Sequence, residues 1–294
     1  MDSNYGKTIA KIRVEKNIPV QELLTGICGR TAYSNFVKGK NSTSIDTFMK
    51  LLDKLHVSFT EFQYISNDFE INEEQKFIND LQNCISVGDI EGLSELLKRV
   101  INNCYIYEDN DKYVHLACIT ELTINKLKNE SLNQEAKKII MKYLIECETW
   151  THYEIMIFNN AMFIFSADQI RAFQTKVVHN IERYQSLRVY GNESFRVLLN
   201  ILMIFIDNKA YKDIRITGGL IDNYQLKEDM LFEKNLKLYF SGVINLIEGR
   251  DVRGLEEIQK ALNIFKMLNA KNYEKNLKRY IEYIIKKYDL EIKL

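Results

Sequence analysis

The chain has 294 residues, more than the usual size of one domain, so two domains are expected. Hydrophobic residues make up 46% and charged residues 27% with a formal net charge of zero, which fits a folded soluble protein with a sizeable core and argues against a largely disordered chain. Proline occurs once and glycine 12 times, and this scarcity of helix-breaking residues predicts an all-α fold.

Three further features bear on location and cofactors. The five cysteines are scattered without C-x-x-C spacing, so we expect reduced thiols and neither a zinc site nor a disulfide framework. The opening MDSNYGKTIAK lacks the apolar segment of a signal peptide. The most apolar run, Ile155–Phe165, is far shorter than the roughly 20 residues of a membrane helix. We expect a cytoplasmic protein with no cofactor, no metal and no membrane partner.

The first 66 residues predict five short helices. Pro19 suits the first position of the second helix, a tight turn at Gly26 follows it, and the third helix runs from Arg30 until Gly39 stops it. Ser44 and Ser58 can cap the fourth and fifth. The residues expected in the core recur at helical spacing: Ile9, Ile12, Leu23, Leu24, Ile27, Phe48, Leu51, Leu52, Leu55, Phe59 and Phe62.

Charge is distributed unevenly between this head and the rest of the chain. Residues 1–66 hold nine Lys or Arg against six acids, which leaves 31 against 34 in the remainder. A mildly basic head on a mildly acidic body is consistent with a nucleic-acid contact confined to the head.

The third helix has the pattern of a helix that reads DNA. When the helix is laid out at ~100° per residue, its polar side chains lie on one arc, which contains no acidic residue. Ala32, Tyr33, Phe36 and Val37 lie on the opposite arc. An ordinary amphipathic helix facing water is the alternative. We predict base contacts from Arg30, Thr31, Ser34 and Asn35, and phosphate contacts from Lys7, Arg13, Lys38 and Lys40.

Residues 67–294 predict longer amphipathic helices separated by small polar breaks, among them Gly218-Gly219. Residues 88–98 and 250–260 also echo each other as G-D-I-E-G-L-S-E-L-L-K and R-D-V-R-G-L-E-E-I-Q-K. Both segments are similar to the turn and second helix of a tetratricopeptide-like unit. We expect a helical-repeat domain over 67–294, with an irregular helical bundle as the alternative.

Several motifs resemble the Rgg/GadR/MutR family of regulators. In the head they are G-K-T-I-A-K-I-R from Gly6, Y-S-N-F from Tyr33, and L-L-D-K-L from Leu51 with the later E-F pair. In the body they are W-T-H-Y-E-I from Trp150 and F-N-N from Phe158. The resemblance covers both predicted domains in the same order. It implies a peptide-pheromone-sensing, quorum-sensing transcription regulator that dimerises through its repeats and holds a short peptide on their concave face.

Two positions depart from the family pattern. The family usually has Arg-Phe-Glu where this chain has Asn35, Phe36 and Val37, so the expected arginine is missing and the operator is in doubt. Some members link their heads through a cysteine that would fall at Ile45. Isoleucine cannot form that bridge, so any contact between heads is expected to be non-covalent.

The resemblance also directs attention to amides in the apolar run 155–165. Asn159 and Asn160 can donate to and accept from the backbone of an extended peptide, and Asn160 coincides with the family's asparagine. A helix cap or an interhelical hydrogen bond is the alternative for both. Arg196 and Asn200, one turn apart, are candidates for the same groove, with a solvated face as their alternative. Tyr239 and Phe240 could wall an apolar pocket or belong to the core.

No enzyme is predicted. The four histidines are dispersed, and the sequence contains no H-E-x-x-H, G-x-S-x-G, G-x-G-x-x-G or phosphate-binding loop. The preferred interpretation is a homodimeric regulator that binds a double-stranded DNA operator under control of a peptide. The alternatives are a helical-repeat interaction scaffold whose head does not bind DNA, and a regulator with a protein partner in place of the peptide.

Overall fold

The computed structural model describes residues 5–106, 111–184 and 187–292. Regular structure in these ranges is helical throughout, with sixteen α-helices and one short 3₁₀ turn, so the predicted all-α class is confirmed. The chain divides into two compact units, Met1–Leu96 and Leu97–Leu294. No helix in the described ranges is long and apolar enough to cross a membrane.

The first unit begins with five short helices that share one core. The helices of this unit are α1 (Tyr5–Glu15), α2 (Val20–Leu24), α3 (Arg30–Val37), α4 (Ile45–Leu55), α5 (Phe59–Ser66), α6 (Glu73–Val87) and the start of α7 (Ile90–Ile106). Buried side chains from Ile9 to Phe62 form the core, with Ile65 packed against it. The predicted five-helix head is therefore confirmed, and its boundary at residue 66 stays a prediction.

Local chemistry explains where these helices begin and end. Pro19 is the N-cap of α2, one position before its expected place, and Gly26 adopts a left-handed φ of 75° in the turn after that helix. The Ser44 side chain caps α4, and Ser58 forms a reciprocal capping box with Glu61 at the start of α5. The two predicted serine caps are confirmed.

Two residues that we predicted to face the core of the head are exposed. Ala32 is exposed because the core contact of α3 is made by Tyr33, with Phe36 and Val37 partly buried beside it. Phe59 is 49% exposed because it opens α5, and Phe62, one turn later, fills the core instead.

The second unit stacks helix on helix. Its helices are the rest of α7, α8 (Asp111–Leu127), α9 (Gln134–Glu146), α10 (His152–Ala161), α11 (Ala167–Tyr184), α12 (Arg188–Asp207), α13 (Tyr211–Asn223), α14 (Leu231–Ile247), α15 (Asp251–Met267) and α16 (Lys271–Lys287). Neighbours in sequence pack on each other, namely α8 with α9, α11 with α12, α12 with α13, α14 with α15, and α15 with α16. The predicted helical-repeat architecture is confirmed.

Both halves of the internal echo have the predicted turn-and-helix form. Gly88 ends α6 with a φ of 72°, and α7 starts at Ile90. Gly249, with a φ of 76°, lies just before the second half, and α15 starts at Asp251.

Glycines in the second unit allow helices to approach closely. A Cβ added to Gly242 of α14 or to Gly254 of α15 would lie 2.8 Å from the carbonyl oxygen of the other residue. The predicted break at Gly218-Gly219 is wrong, because both residues lie within α13. A Cβ on Gly218 would lie 2.9 Å from Cδ1 of Ile244, so this glycine makes room for a side chain of α14 instead of ending a helix.

The Trp150 segment fixes the start of α10, which carries the predicted amides near its other end. Trp150 is 2% exposed, and its Nε1 donates to the Leu144 carbonyl at 3.2 Å. Its ring lies 5.2 Å from the rings of Phe158 and Phe173. Thr151 and Glu154 complete a capping box, so α10 is anchored by apolar packing and by hydrogen bonds.

Candidate functional sites

The first candidate site is the outer surface of α3 in the head. Arg30 and Thr31 are exposed, Ser34 and Asn35 are half-buried, and α3 contains no acidic residue. Two further exposed basic residues, Lys38 and Lys40, follow the end of α3. This surface offers guanidinium, ammonium, hydroxyl and amide donors, the groups that proteins use on base edges and phosphates.

Tight packing within the head holds α3 in place. Tyr33 is buried in the core, and α1 packs on α3 through Gly6. Arg30 Nη2 also donates to Gln21 Oε1 of α2 at 3.2 Å. Helices α2 and α3 are thus joined by a side-chain hydrogen bond besides their shared core.

The predicted phosphate contacts in α1 have different surroundings. Lys7 is exposed. Arg13 is half-buried, and its Nη1 donates to the Ile18 carbonyl at 2.7 Å across the turn that follows α1. Arg13 therefore has a structural role in the described head, while its contact with phosphate stays a prediction.

The departures from the family pattern also have structural consequences. Val37, where the family usually has glutamate, packs against the core of the head. Asn35, where it usually has arginine, is half-buried on the polar side of α3. Ile45 opens α4 and is 82% exposed, so its apolar side chain lies on the surface of the head.

The second candidate site is a cavity of about 440 Å³ in the second unit, which we call the inter-helix pocket. It is lined by residues of α10, α12, α14 and α16. They are Asn159, Arg196, Leu199, Asn200, Met203, Phe232, Leu236, Phe240, Tyr273, Asn276, Leu277 and Tyr280. Four of the predicted peptide-binding residues (Asn159, Arg196, Asn200 and Phe240) line this one cavity.

A pair of amides forms one part of the pocket. Asn200 Nδ2 of α12 donates to Asn159 Oδ1 of α10 at 2.7 Å. Both residues are half-buried. The pair leaves the Asn159 amide nitrogen and the Asn200 carbonyl oxygen for other partners, which is one donor and one acceptor for a peptide backbone.

Asn160 and Tyr239 do not line the pocket. Asn160 is half-buried, and its Nδ2 donates to the Met156 carbonyl at 2.9 Å, one turn back in α10. Tyr239 is fully buried, and its hydroxyl donates to the Leu277 carbonyl of α16 at 2.7 Å. Burial raises the pKa of Tyr239, so the phenol stays neutral. In the described structure Tyr239 connects α14 to α16 behind the pocket wall.

Arg196 is a charged residue among those that line the pocket. Its Nη2 donates to Glu233 Oε1 of α14 at 2.8 Å, and its guanidinium carbon lies 5.0 Å from the centre of the Phe232 ring. Glu233 is only 3% exposed, whereas the Arg196 side chain is 48% exposed. A buried carboxylate and an aromatic ring therefore hold a guanidinium whose outer part remains accessible.

Aromatic rings from α14 and α16 form the apolar part. The Phe232 and Tyr273 rings are 4.9 Å apart, and the Phe240 and Tyr280 rings are 6.1 Å apart. We did not predict Phe232, Tyr273 or Tyr280. For Tyr273 and Tyr280 the available sequence signal is a series of tyrosines along the last helix, but nothing in the sequence indicates that this series faces α12 and α14.

Comparisons with known proteins agree with these features. The profile described as HTH-type transcriptional regulator Rgg, C-terminal domain, matches residues 97–279. The solved structure of RopB is 31% identical over 78% of this chain and 99% of its own, with a TM-score of 0.58. A transcriptional regulator from Listeria monocytogenes EGD-e is 23% identical over 98% of this chain and 99% of its own, with a TM-score of 0.86.

A pheromone receptor shares the fold as well. Rgg2, the SHP pheromone receptor of Streptococcus dysgalactiae, is 20% identical over 98% of this chain and 100% of its own, with a TM-score of 0.75. The similarity therefore extends over both units. Because the Rgg profile covers more than half of the chain, this chain belongs to the Rgg family of helix-turn-helix transcriptional regulators.

Proposed function

We propose that this protein is a cytoplasmic, homodimeric regulator that binds a DNA operator under control of a short peptide. The proposal of DNA binding rests on the polar surface of α3, which contains no acidic residue, in a member of a family of transcriptional regulators. Each head would read one half of a two-fold site, with Arg30, Thr31, Ser34 and Asn35 at base edges. Lys7, Arg13, Lys38 and Lys40 would contact phosphates.

The peptide part rests on the inter-helix pocket. Its paired amides, Asn159 and Asn200, suit a peptide backbone, and its aromatic wall suits apolar side chains. The size of about 440 Å³ is within the usual range for small ligands and accommodates a few residues of a peptide. The description of Rgg2 as a pheromone receptor supports a signalling ligand for this chain as well.

Peptide binding and DNA binding would be coupled through a shift in the population of conformations. A peptide that favours one placement of the two heads changes the fit to the spacing of the half-sites. Coupling of ~1–3 kcal/mol, typical of allosteric proteins, corresponds to a 5–150-fold change in DNA affinity. The coupling is reciprocal, so operator DNA should change peptide affinity by the same factor.

Fluorescence anisotropy tests the DNA part. Labelled DNA from upstream of the gene and its neighbours is compared with scrambled DNA over a series of salt concentrations. Selective binding that weakens steeply with salt is expected, because contacts with phosphates release counterions. The double variant Arg30→Ala/Ser34→Ala should lose selectivity, whereas Lys142→Ala, an exposed cation of α9, should not. Unchanged affinity and selectivity in the double variant would reject the assignment of α3.

Calorimetry tests the peptide part. Short hydrophobic peptides encoded near the gene are titrated into the wild type and into Asn200→Leu, which removes one amide of the pocket pair. Binding by the wild type that weakens in the variant is expected. Absence of binding by every peptide, together with co-purification of a stoichiometric protein, would favour the regulator with a protein partner.

A further inference from the structure

We propose that the inter-helix pocket is selective for a free carboxylate: it binds the C-terminal residue of its peptide, with the carboxylate on Arg196 and an apolar side chain against the aromatic wall. This inference rests on the proposed peptide function and adds the chemical class of the ligand and the end by which it is held.

The charge around the pocket favours an anion. Of the pocket-lining residues in the described ranges, Arg196 alone carries a formal charge. Its counter-ion, Glu233, is 3% exposed and lies behind it, so a ligand reaches the guanidinium and not the carboxylate. A ligand cation would meet Arg196 first and would be repelled.

Arg196 is also pre-oriented for a carboxylate. A guanidinium has five N–H donors, and in the described structure one hydrogen bond, from Nη2 to Glu233, is formed at 2.8 Å. The Phe232 ring at 5.0 Å supports one face of the group. The remaining donors form the planar fork that matches a carboxylate, and little side-chain entropy is left to lose on binding.

The position of the aromatic wall distinguishes a C-terminus from an acidic side chain. Phe232 touches both Arg196 and Tyr273, so the cation and the apolar wall are adjacent. A C-terminal residue carries a carboxylate and a side chain on the same Cα and can meet both within one residue. An internal Asp or Glu would need a neighbouring residue to supply the apolar group. The Asn159–Asn200 pair then lies within the same cavity for the preceding peptide groups.

Competition within defined peptide pools tests this inference. One pool of hydrophobic heptapeptides without Asp or Glu is synthesised as free C-terminal acids and a second pool as C-terminal amides. A third pool carries one internal Glu and an amide end. Each is incubated with the full-length protein, and retained peptides are quantified by mass spectrometry. The wild type should retain acids over both amide pools by about tenfold, the scale of one charge-assisted recognition contact.

Substitutions of Arg196 test whether this residue is the source of the selectivity for a free carboxylate. Arg196→Gln should retain acids and amides equally, and Arg196→Lys, which keeps the charge and guards against misfolding, should give an intermediate ratio. Arg215→Gln is the matched control: Arg215 is also paired with a glutamate, Glu248, at 2.9 Å, but it is 73% exposed and outside the pocket. It should behave as the wild type.

The remaining outcomes separate this inference from the proposed function. Equal retention of acids and amides by the wild type would overturn carboxylate selectivity and leave peptide sensing in place. Retention of the internal-Glu pool as strong as that of the acids would overturn the C-terminal assignment. Retention of no pool would overturn peptide sensing, and this inference with it.

Discussion

Gly6 of α1 lies so close to Val37 of α3 that a Cβ on the glycine would be 2.7 Å from the Val37 Cα. The carbonyl carbon of Phe36 would be 2.6 Å away. These neighbours are backbone atoms, which cannot rotate out of the way as a side chain can. Helix α3 thus rests directly on the backbone of α1, and only glycine permits this contact.

We predict that Gly6→Ala displaces α3 and destabilises the head. Overpacking of this kind costs about 1–3 kcal/mol. Chemical denaturation should report this loss, and anisotropy should report weaker operator binding. Gly29→Ala is the control, because Gly29 is the N-cap of the same helix and a Cβ there would meet no atom within 4 Å. Equal effects of the two substitutions would argue against the close contact as the cause.

An ion pair between the half-exposed Arg171 and the buried Asp213 predicts a dependence of stability on pH. Arg171 Nε and Nη2 of α11 donate to the two carboxylate oxygens of Asp213 in α13, each at 2.7 Å. These hydrogen bonds hold the pKa of Asp213 below its usual value. Their stabilising contribution is therefore complete above the unfolded pKa of about 4 and is lost as the pH falls through the depressed folded value.

The measurement is a series of urea unfolding curves between pH 7 and pH 3. The wild type should exceed Arg171→Gln in unfolding free energy by a constant amount above about pH 5, and the difference should shrink below about pH 4. Asp168→Asn removes the other carboxylate that Arg171 contacts, which is 86% exposed, and should have little effect. A difference that does not change with pH would show that Asp213 is not the titrating partner.

Lys176 of α11 closes the end of α9. Its Nζ donates to the carbonyls of Leu144, Ile145 and Cys147 at 3.1, 3.2 and 2.5 Å. A cation at a helix C-terminus also interacts favourably with the helix dipole. We predict that Lys176→Met, which keeps the length of the side chain, lowers the unfolding free energy by about 1–2 kcal/mol.

Thermal unfolding checks this prediction against a second lysine. Lys142→Met removes an exposed cation of α9 whose distance to Glu146 is 3.9 Å, and it should cost less than about 0.5 kcal/mol. If Lys142→Met lowers the midpoint as much as Lys176→Met does, the effect is one of general charge and not of capping.

Features that depend on short-range chemistry were predictable from the sequence. A serine cap such as Ser44 or Ser58 acts within one turn, so the residues that decide it are adjacent in the chain. The spacing of Ile9 and Ile12 likewise predicts a buried stripe, and both are buried. The break predicted at Gly218 is wrong because this glycine makes room for the Ile244 side chain, a contact that the local sequence does not indicate.

The inter-helix pocket was predictable only in part. Asn159 attracts attention because an amide in an apolar segment needs a partner, and Asn200 because it lies one turn from Arg196. The structure shows that the two amides are hydrogen-bonded to each other at 2.7 Å. Nothing in the sequence distinguishes Tyr239, fully buried, from its neighbour Phe240, which reaches the pocket. That difference depends on contacts with α16, which is distant in the chain: Tyr239 donates to the Leu277 carbonyl, and Phe240 lies beside Tyr280.

The contact between Tyr239 and Leu277 gives a final prediction about the pocket. The Tyr239 hydroxyl donates to the Leu277 carbonyl at 2.7 Å and so connects α14 to α16, which supplies Tyr273 and Tyr280 to the aromatic wall. Tyr239→Phe keeps the ring and removes the hydrogen bond, at a cost of about 0.5–1.5 kcal/mol. Thermal unfolding should register this loss, and peptide affinity should fall severalfold because the wall is held less firmly. Tyr283→Phe is the control and should be nearly neutral, since Tyr283 is 44% exposed and its hydroxyl accepts from Lys287 on the same helix at 2.6 Å. A stable Tyr239→Phe variant with unchanged peptide affinity would mean that α16 is held in place by apolar packing alone.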